Sequence, residues 1–163
     1  AGNLLLEKGR SLIHLGDLNG AEEALGQYVY ESHGEPAGLF ALARALLWQG
    51  KGSEALAILS NFPASSEFNT AKSLMPLAEA YASFENLPLM NPNPLEAAYR
   101  NSLRLARSGK IEMALDGFLD ILRKDKRFHN GQLHEIYLAL LEVMGDSHTA
   151  TRQYRADLSN VLF

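Results

Sequence analysis

Apolar residues recur along this chain with a helical period almost from end to end. In IEMALDGFLDIL, the residues Ile111, Ala114, Leu115, Phe118, Leu119 and Leu122 fall at steps of three and four. In LHEIYLALLEVM, the same steps carry Leu133, Ile136, Tyr137, Leu140, Leu141 and Met144. Such spacing lays one broad apolar stripe along a helix and leaves its back polar. Period-two alternation, the mark of a half-buried strand, does not occur. The chain reads as all-α.

Helix ends are punctuated in a repeating way. HLGDLNGAEEAL, QGKGSEALAIL, SGKIEMALDGFL and MGDSHTATRQY each set an alanine five positions after a glycine: Gly16/Ala21, Gly50/Ala55, Gly109/Ala114 and Gly145/Ala150. A glycine ends a helix in the left-handed conformation at no steric cost. The alanine then sits in the first turn of the next helix, where two antiparallel helices come closest. Gly16 to Gly50 spans 34 residues and Gly109 to Gly145 spans 36, close to the unit of about 34 in tetratricopeptide (TPR) helix pairs. Gly50 to Gly109 spans 59, so a segment is inserted there.

TAKSLMPLAEAYASFE, with Leu74, Ala78, Tyr81 and Ala82 on one face, predicts one extra helix. Pro76 fits its first turn if Ser73 or Thr70 caps it, and kinks it otherwise. NLPLMNPNP then breaks the helical pattern. Asn93 is placed to cap the following helix, with Pro94 at its first position and Glu96 reaching back from the third. Asp146 is expected to cap the last helix. The predicted array has roughly nine helices. Two TPR-like pairs occupy 1–63, the inserted helix and Pro-rich connector 64–93, and two further pairs 94–163. Stacked, they make a right-handed α-solenoid with a concave face; a stack of three-helix bundles is the structural alternative.

Composition narrows the function classes. A chain of 163 residues with 47% apolar and 21% charged residues is globular and long enough for a real core. The net charge of −4 argues against a nucleic-acid binder, but it is unevenly spread. Residues 1–99 carry 5 Lys/Arg against 11 Asp/Glu, and residues 100–163 carry 10 against 8. The absence of cysteine removes disulfides, thiolate metal sites and thiol chemistry from this segment. No apolar run approaches the roughly 18–20 residues of a membrane span. AGNLLLEKGR has neither a signal-peptide pattern nor an initiator Met, and reads as the start of a piece cut from a longer chain.

Catalytic chemistry finds no foothold. His14, His33, His129, His134 and His148 form no HxxxH or HExxH pair, so no metal or cofactor is expected. GKGSEA lacks the spacing of a phosphate loop, and no GxSxG elbow is present. The expectation is a binding protein rather than an enzyme.

Two features suit partner binding. Arg100, Arg104 and Arg107 lie at i, i+4 and i+7 on the first helix of the third pair. There they form either a solvated face paired with Glu96 and Glu112, or a row that grips carboxylates from a concave groove. In TATRQYRADLSNVLF, Ala150, Tyr154, Leu158, Val161 and Leu162 make an apolar stripe ending at Phe163. The stripe either caps the stack or offers Leu162 and Phe163 as an apolar tip to a partner's groove. Trp48 and Met90 invite the same partner-contact reading, but Trp48, near the end of a helix, reads as core.

The motifs PLEA, ARSGKIEMALDGFLDILRKD, LLEVMGD and YRADL, with LIHLGDLNGAEEAL and NFP upstream, resemble the C-terminal TPR region of bacterial thioredoxin–TPR fusion proteins, the chaperedoxins. The resemblance implies a cytoplasmic co-chaperone or holdase that binds unfolded clients and cooperates with the chaperonin under oxidative stress. Its thioredoxin domain and CxxC motif are absent from this chain. The rival reading is a plain TPR scaffold or adaptor with a dedicated peptide or protein partner. Neither nucleic acid nor membrane is expected as a partner, and the chain is a monomer or a dimer.

Overall fold

The computed structural model describes residues 2–163, with side chains from Leu4 onward. Helices follow one another through α1 (Gly2–Leu15), α2 (Leu18–Glu31), α3 (Pro36–Trp48), α4 (Gly52–Ser60), α5 (Phe68–Ser73) and α6 (Met75–Ala82). After a 3₁₀ turn at Phe84–Asn86 come α7 (Pro94–Arg107), α8 (Ile111–Lys124), α9 (Gln132–Met144) and α10 (Thr151–Leu162). No strand occurs among the described residues. The architecture is a helical repeat solenoid, in which α1 packs on α2, α3 on α4 and α7 on α8, while α10 lies against both α8 and α9.

Three of the four glycine–alanine pairs work as the spacing predicts. Gly16, Gly50 and Gly109 have φ of +85°, +78° and +87°. Two residues later α2, α4 and α8 begin, and Ala21, Ala55 and Ala114 in their first turns are fully buried. The fourth pair departs from this register. Gly145 has φ 83° but ψ 157°, which is not the left-handed helical conformation. The chain runs on through 146–150 before α10 starts at Thr151, so Ala150 stands half-buried at the N-cap and not in a first turn. Asp146 does not cap α10; it is exposed and meets Arg155 at 3.4 Å. The Thr151 hydroxyl instead donates to the Gly145 carbonyl at 2.7 Å, closing the longer turn.

The insertion also differs from the expected single helix. It breaks at Leu74 into α5 and α6, because Pro76 cannot donate into a continuing helix and falls in the first turn of α6. Neither Ser73 nor Thr70 caps it; the Ser73 hydroxyl bonds back to the Thr70 carbonyl. At α7 the Asn93 carboxamide oxygen accepts from the Leu95 and Glu96 amides, as expected of a cap. Glu96 does not reach back to the cap, because its carboxylate accepts from His129 Nε2 at 2.7 Å.

The core centres on α9. Leu133, Ile136, Tyr137, Leu140, Leu141 and Met144 are all buried, and α9 packs against α3, α5, α6, α8 and α10. The last pair therefore folds back onto the second pair and the insertion. A smaller cluster of Leu6, Ile13, Ala21, Leu25, Tyr28, Ala41 and Ala45 holds the first pair to α3. Pairs two and three also meet at their turns. A Cβ added at Gly50 would stand 2.2 Å from the Arg107 carbonyl oxygen.

Candidate functional site

The arginine row of α7 divides in two. Arg100 and Arg107 are half-buried, and both guanidinium groups lie over the ring of Phe84, at 4.8 and 4.3 Å from its centroid. Arg107 also reaches Glu85 at 3.3 Å. These two arginines fasten α7 to the inserted segment through cation–π contact, worth about 1 kcal/mol or more each when partly desolvated. Arg104 alone is exposed, and it donates to the Asn101 side chain at 2.7 Å. The anticipated partners Glu96 and Glu112 take no part in the row. Nearby, Arg100 Nε, Arg107 Nε and the Tyr81 hydroxyl are buried with no hydrogen-bond partner among the described residues. Burial pushes the Tyr81 phenol up, and the Arg107 charge works against it.

Beside this row the connector stands out from the fold. Leu89 and Met90 are 82% and 91% exposed. With Arg100 and Asn101 they border a hollow of about 360 Å³. Exposed apolar side chains thus adjoin cationic and amide groups on one surface.

The C-terminal helix is anchored over most of its length. Leu158 is buried, and Tyr154, Val161 and Leu162 pack half-buried on the core. The Tyr154 hydroxyl donates to Asp116 at 2.9 Å, and the Tyr137 hydroxyl donates to the Tyr154 carbonyl at 2.6 Å. Burial and then the Asp116 bond push the Tyr154 phenol up. Leu162 therefore belongs to the packed stripe, whereas Phe163 is 99% exposed. Replacing Tyr154 by Phe removes the Asp116 bond but keeps the ring. It is expected to cost about 1 kcal/mol, read as a lower urea midpoint with unchanged slope; no change would show that the bond exchanges evenly with water.

A third site was not legible in the sequence. A cavity of about 360 Å³ lies between α1, α3 and the turn from α9 to α10. Arg10 and His14 come from α1, Arg44 and Trp48 from α3, and His148 from the turn. Arg44 Nε donates to the Glu142 and Val143 carbonyls at 3.1 and 3.3 Å, and its Nη2 to Val143 at 2.9 Å. One guanidinium thus satisfies carbonyls in the last turn of α9 that have no partner within the helix. Gly145 makes room for it, since a Cβ there would come within 2.7 Å of Arg44 Nη2. The spacing of Gly145 and Ala150 matches the other three pairs, so nothing local in the sequence marked this turn.

Among the described residues, no three His, Cys, Asp or Glu side chains are grouped to hold a metal ion. Likewise, no helix among them is long and apolar enough to cross a membrane.

The profile of a family described as tetratricopeptide repeat matches residues 76–163, more than half of the chain. No curated protein matches the sequence. Among solved structures, the chain is similar to a domain of a Vibrio parahaemolyticus protein of unknown function. The two share 19% identity over 99% of each chain, with a TM-score of 0.42.

Proposed function

Since this chain belongs to the tetratricopeptide repeat family, we propose that it is the protein-interaction part of a thioredoxin-linked co-chaperone or holdase of the bacterial cytoplasm. TPR arrays generally act by binding other proteins, and that much follows from family membership. The client-binding reading goes further. It is supported by one observation above all: exposed Leu89 and Met90 border one hollow with Arg100 and Asn101, and Asn101 in turn accepts from exposed Arg104. Unfolded segments present apolar side chains together with carboxylates, and such a surface meets both. Apolar contact supplies the affinity, while the guanidinium of Arg104 contributes encounter rate and charge selection. Phe163, at the end of α10, is another of the exposed apolar groups.

The test measures suppression of light scattering from a heat-unfolding model client. Wild-type protein is expected to suppress aggregation. The Arg104→Glu variant, and a Leu89→Ser/Met90→Ser double variant, should lose most of that effect with unchanged thermal midpoints, because all three side chains are exposed. Suppression that survives both variants removes this surface from the reading. A chain that suppresses nothing, yet captures one folded partner from bacterial lysate, is a dedicated adaptor. Deleting α10 is a poor test of the C-terminal tip, because Leu158 lies in the core; Phe163→Ser probes it cleanly.

A further inference from the structure

We propose that the cavity between α1, α3 and the α9–α10 turn binds a small organic oxyanion, a carboxylate or phosphate on an apolar body. Arg10 and Arg44 hold the charge, and Trp48, Ile13 and Met144 receive the body. The proposal goes beyond protein-partner binding and does not depend on it.

The lining has one sign of charge. Arg10, Arg44, His14 and His148 border the cavity, Ser147 and Thr149 add hydroxyls, and no carboxylate among the described residues lines it. Two guanidinium groups facing one space repel each other, and an anion between them relieves that repulsion. The carboxylates that act on them do so from outside. Glu7 meets Arg10 at 2.9 Å in an exposed pair, and Glu142 acts on Arg44 at a distance. An exposed pair of that kind contributes little, so a ligand displaces Glu7 at small cost.

Donors remain available. Arg44 uses Nε and one Nη2 hydrogen on the α9 carbonyls, leaving both Nη1 hydrogens and one on Nη2. His148 Nδ1 accepts from the Ala150 amide at 3.1 Å. That nitrogen is therefore unprotonated and the ring carries its hydrogen on Nε2, so neutral His148 is a donor. Burial holds the Arg44 guanidinium below its ordinary value; the Glu142 charge opposes this and the Arg10 charge adds to it.

The floor is apolar. Ile13 and Met144 are buried, and Trp48 is half-buried with its ring tilted against His148 at 6.2 Å between centroids. About 360 Å³ is within the range of small-molecule sites. The cavity is more enclosed than the hollow beside the connector, which favours a compact ligand over an extended peptide. It also sits where the repeat is broken. The three regular turns bring their next helix two residues after the glycine, and only the extended fourth turn supplies Ser147, His148 and Thr149. A local departure from an otherwise consistent pattern is where function is expected.

Trp48 is the only tryptophan, so its fluorescence reports on the cavity. The probes are phenyl phosphate, phenylacetate, inorganic phosphate and an acidic peptide, each titrated to about 10 mM, tenfold above a millimolar dissociation constant. At least one phenyl anion is expected to change the emission saturably and to raise the melting temperature. Preference between the two identifies the anion, and inorganic phosphate binding more weakly than phenyl phosphate would locate the apolar contribution. Arg10→Gln, an exposed change, should weaken binding about tenfold, the size expected for one charge-assisted contact. Glu7→Gln frees Arg10 and should tighten binding. Circular dichroism and melting of the ligand-free variants check that the fold is intact. The proposal is overturned if neither phenyl anion binds saturably, if Arg10→Gln binds as well as wild type, or if only the acidic peptide binds.

Discussion

Gly50→Ala should lower the stability of this protein by about 4 kcal/mol, while Gly16→Ala should cost only about 1. The two glycines share the same punctuation and nearly the same φ, +78° and +85°. A side chain at either is strained by the left-handed conformation, which costs about 1–2 kcal/mol. Beyond its chain neighbours, no heavy atom of the described residues lies within 4 Å of a Cβ built at Gly16, so strain is the whole cost. At Gly50 the Cβ would stand 2.2 Å from the Arg107 carbonyl oxygen and 3.0 Å from its carbonyl carbon and Cα. These are backbone atoms and cannot rotate aside. The turns of the second and third pairs must move apart, adding about 1–3 kcal/mol as overpacking does. Against a total of about 5–15 kcal/mol for a native domain, that loss is severe. Urea unfolding of both variants decides the matter. Equal losses would mean that the turns do not abut as described, and with them would go the seam that sets Arg107 and Phe84 in place.

Ala114→Leu should be the second severe change, at about 3 kcal/mol, and Ala150→Leu should cost about 1 or less. Ala114 has no exposed surface and lies in the first turn of α8, facing α7. Three extra carbons there force the two axes apart or push neighbours off their rotamers. The same helix pair is already tight farther along, where a Cβ at Gly117 would meet the Ser102 hydroxyl oxygen at 2.1 Å. The pair therefore has little slack to absorb the change. Ala150 stands outside its helix and half-buried, so a larger side chain there can turn toward solvent. Thermal unfolding of both variants under one set of conditions tests the register. A loss at Ala150 as large as at Ala114 would restore the fourth glycine–alanine pair to the regular pattern.

Both predictions turn on what periodicity can and cannot convey. The stripe from Ile111 to Leu122 and that from Leu133 to Met144 are buried at every position read from the sequence, because side-chain direction on a helix follows from spacing alone. The cap at Asn93 was readable for the same reason: it is a local bond between a side chain and amides two and three residues on. Gly145/Ala150 looked like the other three pairs because the two residues sit at the same distance in the chain. What differs is the path of the five residues after Gly145, and it answers to Thr151 and Arg44, the latter about a hundred residues away. Spacing along α7 put the three arginines on one side of the helix. Its division into two ring-bound arginines and one exposed one depended on where Phe84 came to rest.

The helical class and the glycine–alanine punctuation were legible in the residue order, since each rests on contacts within one helix or between adjoining helices. The sites arise only from how distant helices pack. α9 folds back against α3, and that packing brings Arg10, Arg44 and His148 to one cavity from three distant stretches of chain. No residue in that set carries a local signal, because a binding cavity is a property of the space between helices, and spacing along one helix does not record its distance to another.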